Sequence, residues 1–216
     1  MKTADNGQSS QPSFTLWRRQ RALHAFNRLF TRVYHRVDVL SPCPLPRTGP
    51  AILVCNHTSG LDPQLIQSTC PRLITWMMAR EYYDLPVIKQ ILDTVGVIPV
   101  TRGARDTAAT RAAIRALENG EILGIFPEGK IALTRELLPF QVGVALLAMK
   151  SEAPVYPACL DGTQRGLEML KAFLRPQRAA LTFGPPMHFR RSHGGMEEVT
   201  GQIQAAVTSL LQSMPP

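Results

Sequence analysis

No apolar run in this sequence approaches the ~20 residues a helix needs to cross a bilayer, so a membrane-spanning helix is not expected. Cysteine is scarce. Cys43, Cys55, Cys70 and Cys159 are the four present and none forms a C-x-x-C pair, which predicts buried thiols in a reducing compartment. No cluster with metal-ligand spacing is visible, so no metal is expected. The opening MKTADNGQSSQPS has no apolar stretch, so no secretory signal is expected, and residues 1–13 read as a disordered tail. Acidic residues are few, 16 against 24 lysines and arginines, for a net charge of +8. With 44% hydrophobic residues a wholly disordered chain is excluded, and 216 residues suit one compact domain.

What is present begins with a basic segment. Lys2, Arg18, Arg19, Arg21, Arg28, Arg32 and Arg36 face only Asp5 and Asp38 within the first 40 residues. Leu16, Leu23, Phe26, Phe30, Val33 and Val37 recur at helical spacing, with Arg18, Arg21, Arg28, Arg32 and Arg36 on the opposite side, which predicts an amphipathic basic helix over 14–40. The apolar stripe either packs on the core or dips into a lipid interface while the arginines meet anionic headgroups; Trp17 and Tyr34 suit the second arrangement. No recognised nucleic-acid module accompanies the basic residues, so no nucleic-acid partner is expected. Pro42, Pro44 and Pro46 mark 41–49 as a linker, leaving 50–216 as the main domain.

Within that domain, apolar runs at 51–55, 73–79, 95–100, 121–126 and 154–159, with 181–183 a further candidate, alternate with helical segments at 62–68, 86–94, 105–118, 139–151 and 196–213. Continuous apolar strands separated by helices predict an α/β fold, a mostly parallel central sheet flanked by helices. Ligands of such sheets gather beyond the carboxyl ends of the strands. Three of those ends carry ionisable groups: His57 after the first strand, Arg102 after the third, and Glu128 with Lys130 after the fourth.

Each group has a structural reading beside a chemical one. Ser59-Gly60-Leu61-Asp62 has the spacing of a capping box for a helix starting just after Ser59, which accounts for Ser59 and Asp62 but not for His57. The chemical reading sets Asp62 on the imidazole of His57, fixing its tautomer and freeing the other nitrogen to accept a proton. Arg102 is either a solvated rim charge or a bidentate phosphate holder. Gly124 to Lys130 imitates a phosphate-binding P-loop, but Ile131 stands where Ser or Thr must hold Mg²⁺, and Pro127 removes an N–H from the cradle. Nucleotide binding is therefore rejected.

Taken together, NHTSGLD, VGVIPVTRG, FPEGK and APVYPACL resemble, in order, the four motif blocks of the glycerolipid acyltransferase family, the bacterial 1-acylglycerol-3-phosphate acyltransferases in particular. The likeness spans about residues 50–160 and includes Phe140 to Gly143. It implies a glycerolphosphate acyltransferase-like fold. It also implies transfer of a fatty acyl group from an acyl-CoA or acyl carrier protein thioester to the free hydroxyl of a lysophospholipid, foremost 1-acylglycerol-3-phosphate, giving phosphatidate. Another lysolipid or glycerol-phosphate acceptor, or a non-catalytic lipid-binding protein, is the alternative. His57 would be the base and Asp62 its partner. Arg102 and Lys130 would hold the acceptor's phosphate, with Glu128 and Gly129 shaping that loop or meeting a glycerol hydroxyl. The thioester is a co-substrate, and no cofactor is implied. An arginine usual in the third block is Ile131 here, leaving Lys130 as a point charge beside it. Cys55 reads as a buried thiol, with an acyl relay the alternative; the amides opening the helix after Ser59 are the expected oxyanion donors. The expected location is the cytoplasmic side of a membrane, peripheral or monotopic, with an anionic surface as partner.

Overall fold

The computed structural model describes residues 14–215 apart from Leu85, Ala104, Arg105 and His193, and for 14–17 and 86–88 the backbone alone. The tail expected at 1–13 and the side chains of Leu16 and Trp17 lie outside the described residues.

Seven strands, β1 (Arg36–Val39), β2 (Ala51–Cys55), β3 (Ile74–Ala79), β4 (Ile98–Val100), β5 (Ile122–Ile125), β6 (Val155–Asp161) and β7 (Arg178–Phe183), form one sheet in the order β1-β7-β6-β2-β5-β3-β4. All neighbours run parallel except β6 and β7. The central strand β2 is buried along its whole length, as its unbroken AILVC run predicts for a strand covered on both faces.

The helices are α1 (Phe14–Val33), α2 (Asp62–Thr69), α3 (Arg80–Tyr83), α4 (Pro86–Val95), α5 (Thr107–Glu118), α6 (Gly143–Ser151), α7 (Met169–Phe173) and α8 (Met196–Ser213). One face of the sheet, from Leu53, Cys55 and Trp76, packs on Leu65 and Ile66 of α2, Leu92 of α4 and Ala172 of α7. The other, from Ile52, Val54 and Leu123, packs on Ala113 of α5, Val144 and Ala148 of α6, and Val199, Ile203 and Val207 of α8. Asp106 caps α5 by accepting the Ala109 N–H at 2.9 Å.

Three expectations are corrected. The basic helix stops at Val33 rather than 40, and Arg36–Val39 becomes edge strand β1, paired with β7 in the register Arg36↔Arg178. The α/β domain therefore begins before residue 50. The apolar stripe of α1 divides between its two readings, with Leu23 and Phe30 half-buried and Phe26 and Val33 exposed. The helix docks through polar groups, with Gln20 Nε2 donating to Thr94 O at 2.9 Å and Asn27 Nδ2 to Gln64 O at 2.8 Å. Phe26, Leu29 and Val33 are left 60%, 64% and 72% exposed, while Phe30 stacks on Phe173 of α7. Finally, α6 begins at Gly143, not Pro139, and the segment before it is tied down by the N–H groups of Phe140 and Gln141, given to Gln204 Oε1 and Pro127 O.

Candidate active site

The five strands β2 to β6 are mutually parallel, so their carboxyl ends share one edge. At its centre β2 runs out into Asn56, whose amide bridges to β6: Nδ2 donates to Leu160 O and Oδ1 accepts the Leu160 N–H, both at 2.9 Å. This side chain extends the β2–β6 ladder by one more rung and fixes where the next residue, His57, emerges.

His57 Nδ1 lies 2.9 Å from Asp62 Oδ2. The same oxygen accepts the N–H groups of Thr58 at 2.7 Å and Ser59 at 2.9 Å, so it is a pure acceptor and Nδ1 must carry the hydrogen. Nε2 is then the free basic nitrogen. Asp62 is fully buried, whereas the His57 side chain keeps 17% exposure. The carboxylate is sealed from water and the ring is open on one side.

The ring is also held flat. His57 stacks on Phe126 at 4.2 Å between centroids, and Phe126 stacks on Trp76 at 4.9 Å. Gly124 makes room for this column, since a Cβ there would run into the Trp76 ring beside it. The glycine that imitated a P-loop start thus has a packing reason, and no helix follows Lys130 until Gly143.

The backbone of His57 is pinned as well. Its N–H donates to Glu128 Oε1 at 2.7 Å, and its carbonyl accepts the Ala132 N–H at 2.7 Å. Glu128 Oε2 accepts the Leu138 N–H at 2.9 Å. Burial pushes the Glu128 carboxyl up, and those two N–H groups oppose the shift. Glu128 therefore ties the loop after β5 to the loop after β2. Gly129 follows it with φ at 68°, a left-handed turn that suits glycine, and Lys130 is exposed on the outer side.

Of the six expected site residues, the structure brings His57, Asp62 and Glu128 together and puts Gly129 and Lys130 at the rim of the same loop. Arg102 stands apart. It follows edge strand β4, three strand positions from β2, roughly 14 Å at ~4.8 Å per strand, and pairs with Glu81 at 2.8 Å above the Tyr82 ring. The capping box is half present: Asp62 reaches back to Ser59, but α2 starts at Asp62 with Leu61 at its cap and no side-chain cap bond. The oxyanion donors expected after Ser59 are spoken for. Thr58 and Ser59 give their N–H groups to Asp62, Gly60 to Leu167 O, Leu61 to Ser59 Oγ and Asp62 to Ser59 O. Cys55 is fully buried with its thiol pushed well up by burial, which removes it as an acyl relay.

Two features escaped the sequence reading. Asp161, at the end of β6, holds Arg135 Nε at 2.8 Å and Arg165, and so fastens the loop after β5 to the loop after β6. The distance along the chain between Asp161 and Arg135 hides that pair. Gly60 packs against the backbone of Met169, where a Cβ would clash, seating the His57 loop on the start of α7.

The sequence profile of the Acyltransferase family matches residues 36–161. The chain is 29% identical over 153 residues to a Bacillus subtilis protein named 1-acyl-sn-glycerol-3-phosphate acyltransferase, covering 70% of this chain and 74% of that one. It is 30% identical over 125 residues to human 1-acyl-sn-glycerol-3-phosphate acyltransferase beta, spanning 56% of this chain but only 45% of the human protein. The crystal structure of the 1-acyl-sn-glycerophosphate acyltransferase PlsC from Thermotoga maritima shares the fold, with a TM-score of 0.76 and 22% identity over 95% of this chain and 83% of that one.

Proposed function

This chain belongs to the acyltransferase family, and from that premise we propose that it moves a fatty acyl group from a thioester to the free hydroxyl of a lysophospholipid, with 1-acylglycerol-3-phosphate as acceptor and phosphatidate as product. The observation that carries the reading is the His57–Asp62 pair, a buried carboxylate on Nδ1 and an open Nε2.

An alcohol is a poor nucleophile near neutral pH. His57 Nε2 takes the hydroxyl proton as the oxygen attacks the thioester carbonyl, and Asp62 stabilises the imidazolium that forms. His57 then returns the proton to the departing thiolate. No acyl-enzyme is needed. The donor is an acyl-CoA or acyl carrier protein thioester, used as co-substrate, with no cofactor or metal. Arg102 and Lys130, which follow β4 and β5 on the same side of β2, supply positive charge for the acceptor's phosphate, while Glu128 acts through the backbone of His57. Ile131, in place of the family's usual arginine, makes the acceptor the part of this reading most worth probing.

The protein works at the cytoplasmic side of the bilayer as a peripheral enzyme. Among the described residues no helix is long and apolar enough to cross a membrane. The exposed Phe26, Leu29 and Val33 of α1, with Leu170 and Leu174 at 66% and 73% exposure around α7, support an interfacial docking face.

The test is an acyl-transfer assay with both thioester donors over lysophosphatidate, other lysophospholipids, glycerol 3-phosphate and monoacylglycerol, with His57→Ala beside the parent. Transfer to lysophosphatidate that collapses in His57→Ala supports the reading. Absence of transfer to any acceptor, or full activity in the variant, refutes it.

A further inference from the structure

Two thiols outside the site face one another. Cys43, half-buried in the proline-rich linker, and Cys70, buried at the C-terminal cap of α2, bring their Sγ atoms to 3.5 Å across 27 positions of sequence. A disulfide has an S–S length of about 2.05 Å, so about 1.5 Å of approach separates the pair from closure, within reach of small rotations about the two Cα–Cβ bonds. The remaining cysteines, Cys55 and Cys159, are fully buried in strands. We propose that Cys43 and Cys70 form a redox-active dithiol, which closes to a disulfide on meeting a low-molecular-weight disulfide such as oxidised glutathione.

The geometry assigns the order of events. Cys43 is the sulfur that solvent reaches. The Cys70 thiol, donating to a Cys43 thiolate, holds Cys43 at about 7, so a large share is thiolate at neutral pH, while Cys70 is pushed far up by its thiolate neighbour and by burial. Cys43 thiolate attacks one sulfur of the small disulfide, and one small thiolate leaves. Cys70 gives its proton to that departing thiolate and attacks the Cys43 sulfur of the mixed disulfide, releasing the second small thiolate. Overall, two protein thiols and one small disulfide become one protein disulfide and two small thiols. The closed loop encloses β2, the His57–Asp62 pair and α2. Oxidation therefore staples the linker behind α1 and β1 to the far end of the helix that carries Asp62.

The full chain, incubated with oxidised glutathione at neutral pH, should lose two hydrogens by intact mass, yield a Cys43–Cys70 cross-linked fragment, and recover both thiols in dithiothreitol. Closing a loop of this length should raise the unfolding midpoint by about 10 °C. Cys70→Ser should retain glutathione on Cys43 as a stable mixed disulfide, and Cys43→Ser should take up none. The proposal fails if all four thiols of the oxidised parent still alkylate after denaturation. It also fails if glutathione stays on Cys43 in the parent, or if the two-hydrogen loss persists in Cys43→Ser.

Discussion

Glu128 accepts the backbone N–H of His57 at 2.7 Å. Asp62 works on the ring of the same histidine and Glu128 on its main chain, so two buried carboxylates divide the task of placing one imidazole. Glu128 uses both oxygens on backbone N–H groups. Asp62 uses Oδ2 on the ring and two backbone N–H groups while its buried Oδ1 has no partner among the described residues, and one side of the ring is left open.

Replacing Glu128 with Gln keeps one carbonyl acceptor and turns an NH₂ toward the N–H of either His57 or Leu138. That mismatch should cost about 1–3 kcal/mol of stability and lower kcat with little change in acceptor KM. Denaturant unfolding and steady-state kinetics read the two effects; a rise in KM alone would place Glu128 on the substrate instead.

Asp62→Asn should lower kcat about 10²–10⁴-fold while leaving substrate affinity near the parent's, because the imidazole loses its tautomer partner. Asp62→Ala should also unfold earlier, since the N–H groups of Thr58 and Ser59 are left without their acceptor. If both variants turn over normally, the carboxylate serves only the helix start.

The Arg102–Glu81 pair is exposed on both sides, at 45% and 50%, so it is weak and exchangeable. Arg102→Ala should raise KM for a phosphate-bearing acceptor about 10–100-fold and leave an uncharged monoacylglycerol unaffected. Glu81→Gln, which releases the guanidinium, should lower KM for the phosphate-bearing acceptor. Equal changes for charged and uncharged acceptors would take Arg102 out of phosphate binding.

Leu29→Asp combined with Leu174→Asp should weaken flotation with vesicles rich in anionic phospholipid about tenfold or more. Both positions are exposed, so the unfolding midpoint should hold. Undiminished flotation would mean that another surface meets the bilayer.

His35 is fully buried between α1 and α7, edge-on to Phe30 and Tyr34, and burial holds its imidazole below the ordinary range although the carbonyl of Phe173 pulls the other way. His24 on α1 is shifted in the same direction, by burial and then by Arg28. A lowered folded value means the unfolded chain binds more protons in the window between the two values. Stability is thus intact above the ordinary imidazole range and is lost as pH falls through it. The unfolding midpoint of the parent should drop between about pH 7 and 5, and His35→Phe should drop less. Parallel pH curves for the two would assign the loss elsewhere.

Much of this arrangement was readable from residues alone. Continuous apolar strands gave the parallel sheet, and the strand-end rule put His57 and Glu128 on one edge. Strand β1 stayed hidden because Val33 and Val37 continue a helical spacing, and a four-residue edge strand is too short to display its own period. Its pairing with β7, far along the chain, makes it a strand. The direction of the α1 stripe was equally illegible, because it depends on where Thr94 and Gln64 offer carbonyls to Gln20 and Asn27. The ring column under His57 needed Gly124 and Trp76 to be neighbours across two strands, a fact of register rather than of motif.

The contact between Gly60 and the first residue of α7 sets a fixed depth gauge. Main chain meets main chain there, with no side chain between them to lengthen or shorten. The histidine loop and the helix flanked by the outward-facing Leu170 and Leu174 therefore move as one piece. Under the proposed interfacial docking, wherever those leucines come to rest, the height of His57 Nε2 above that plane is decided by backbone thickness, and substitutions among the surrounding side chains have little leverage over it.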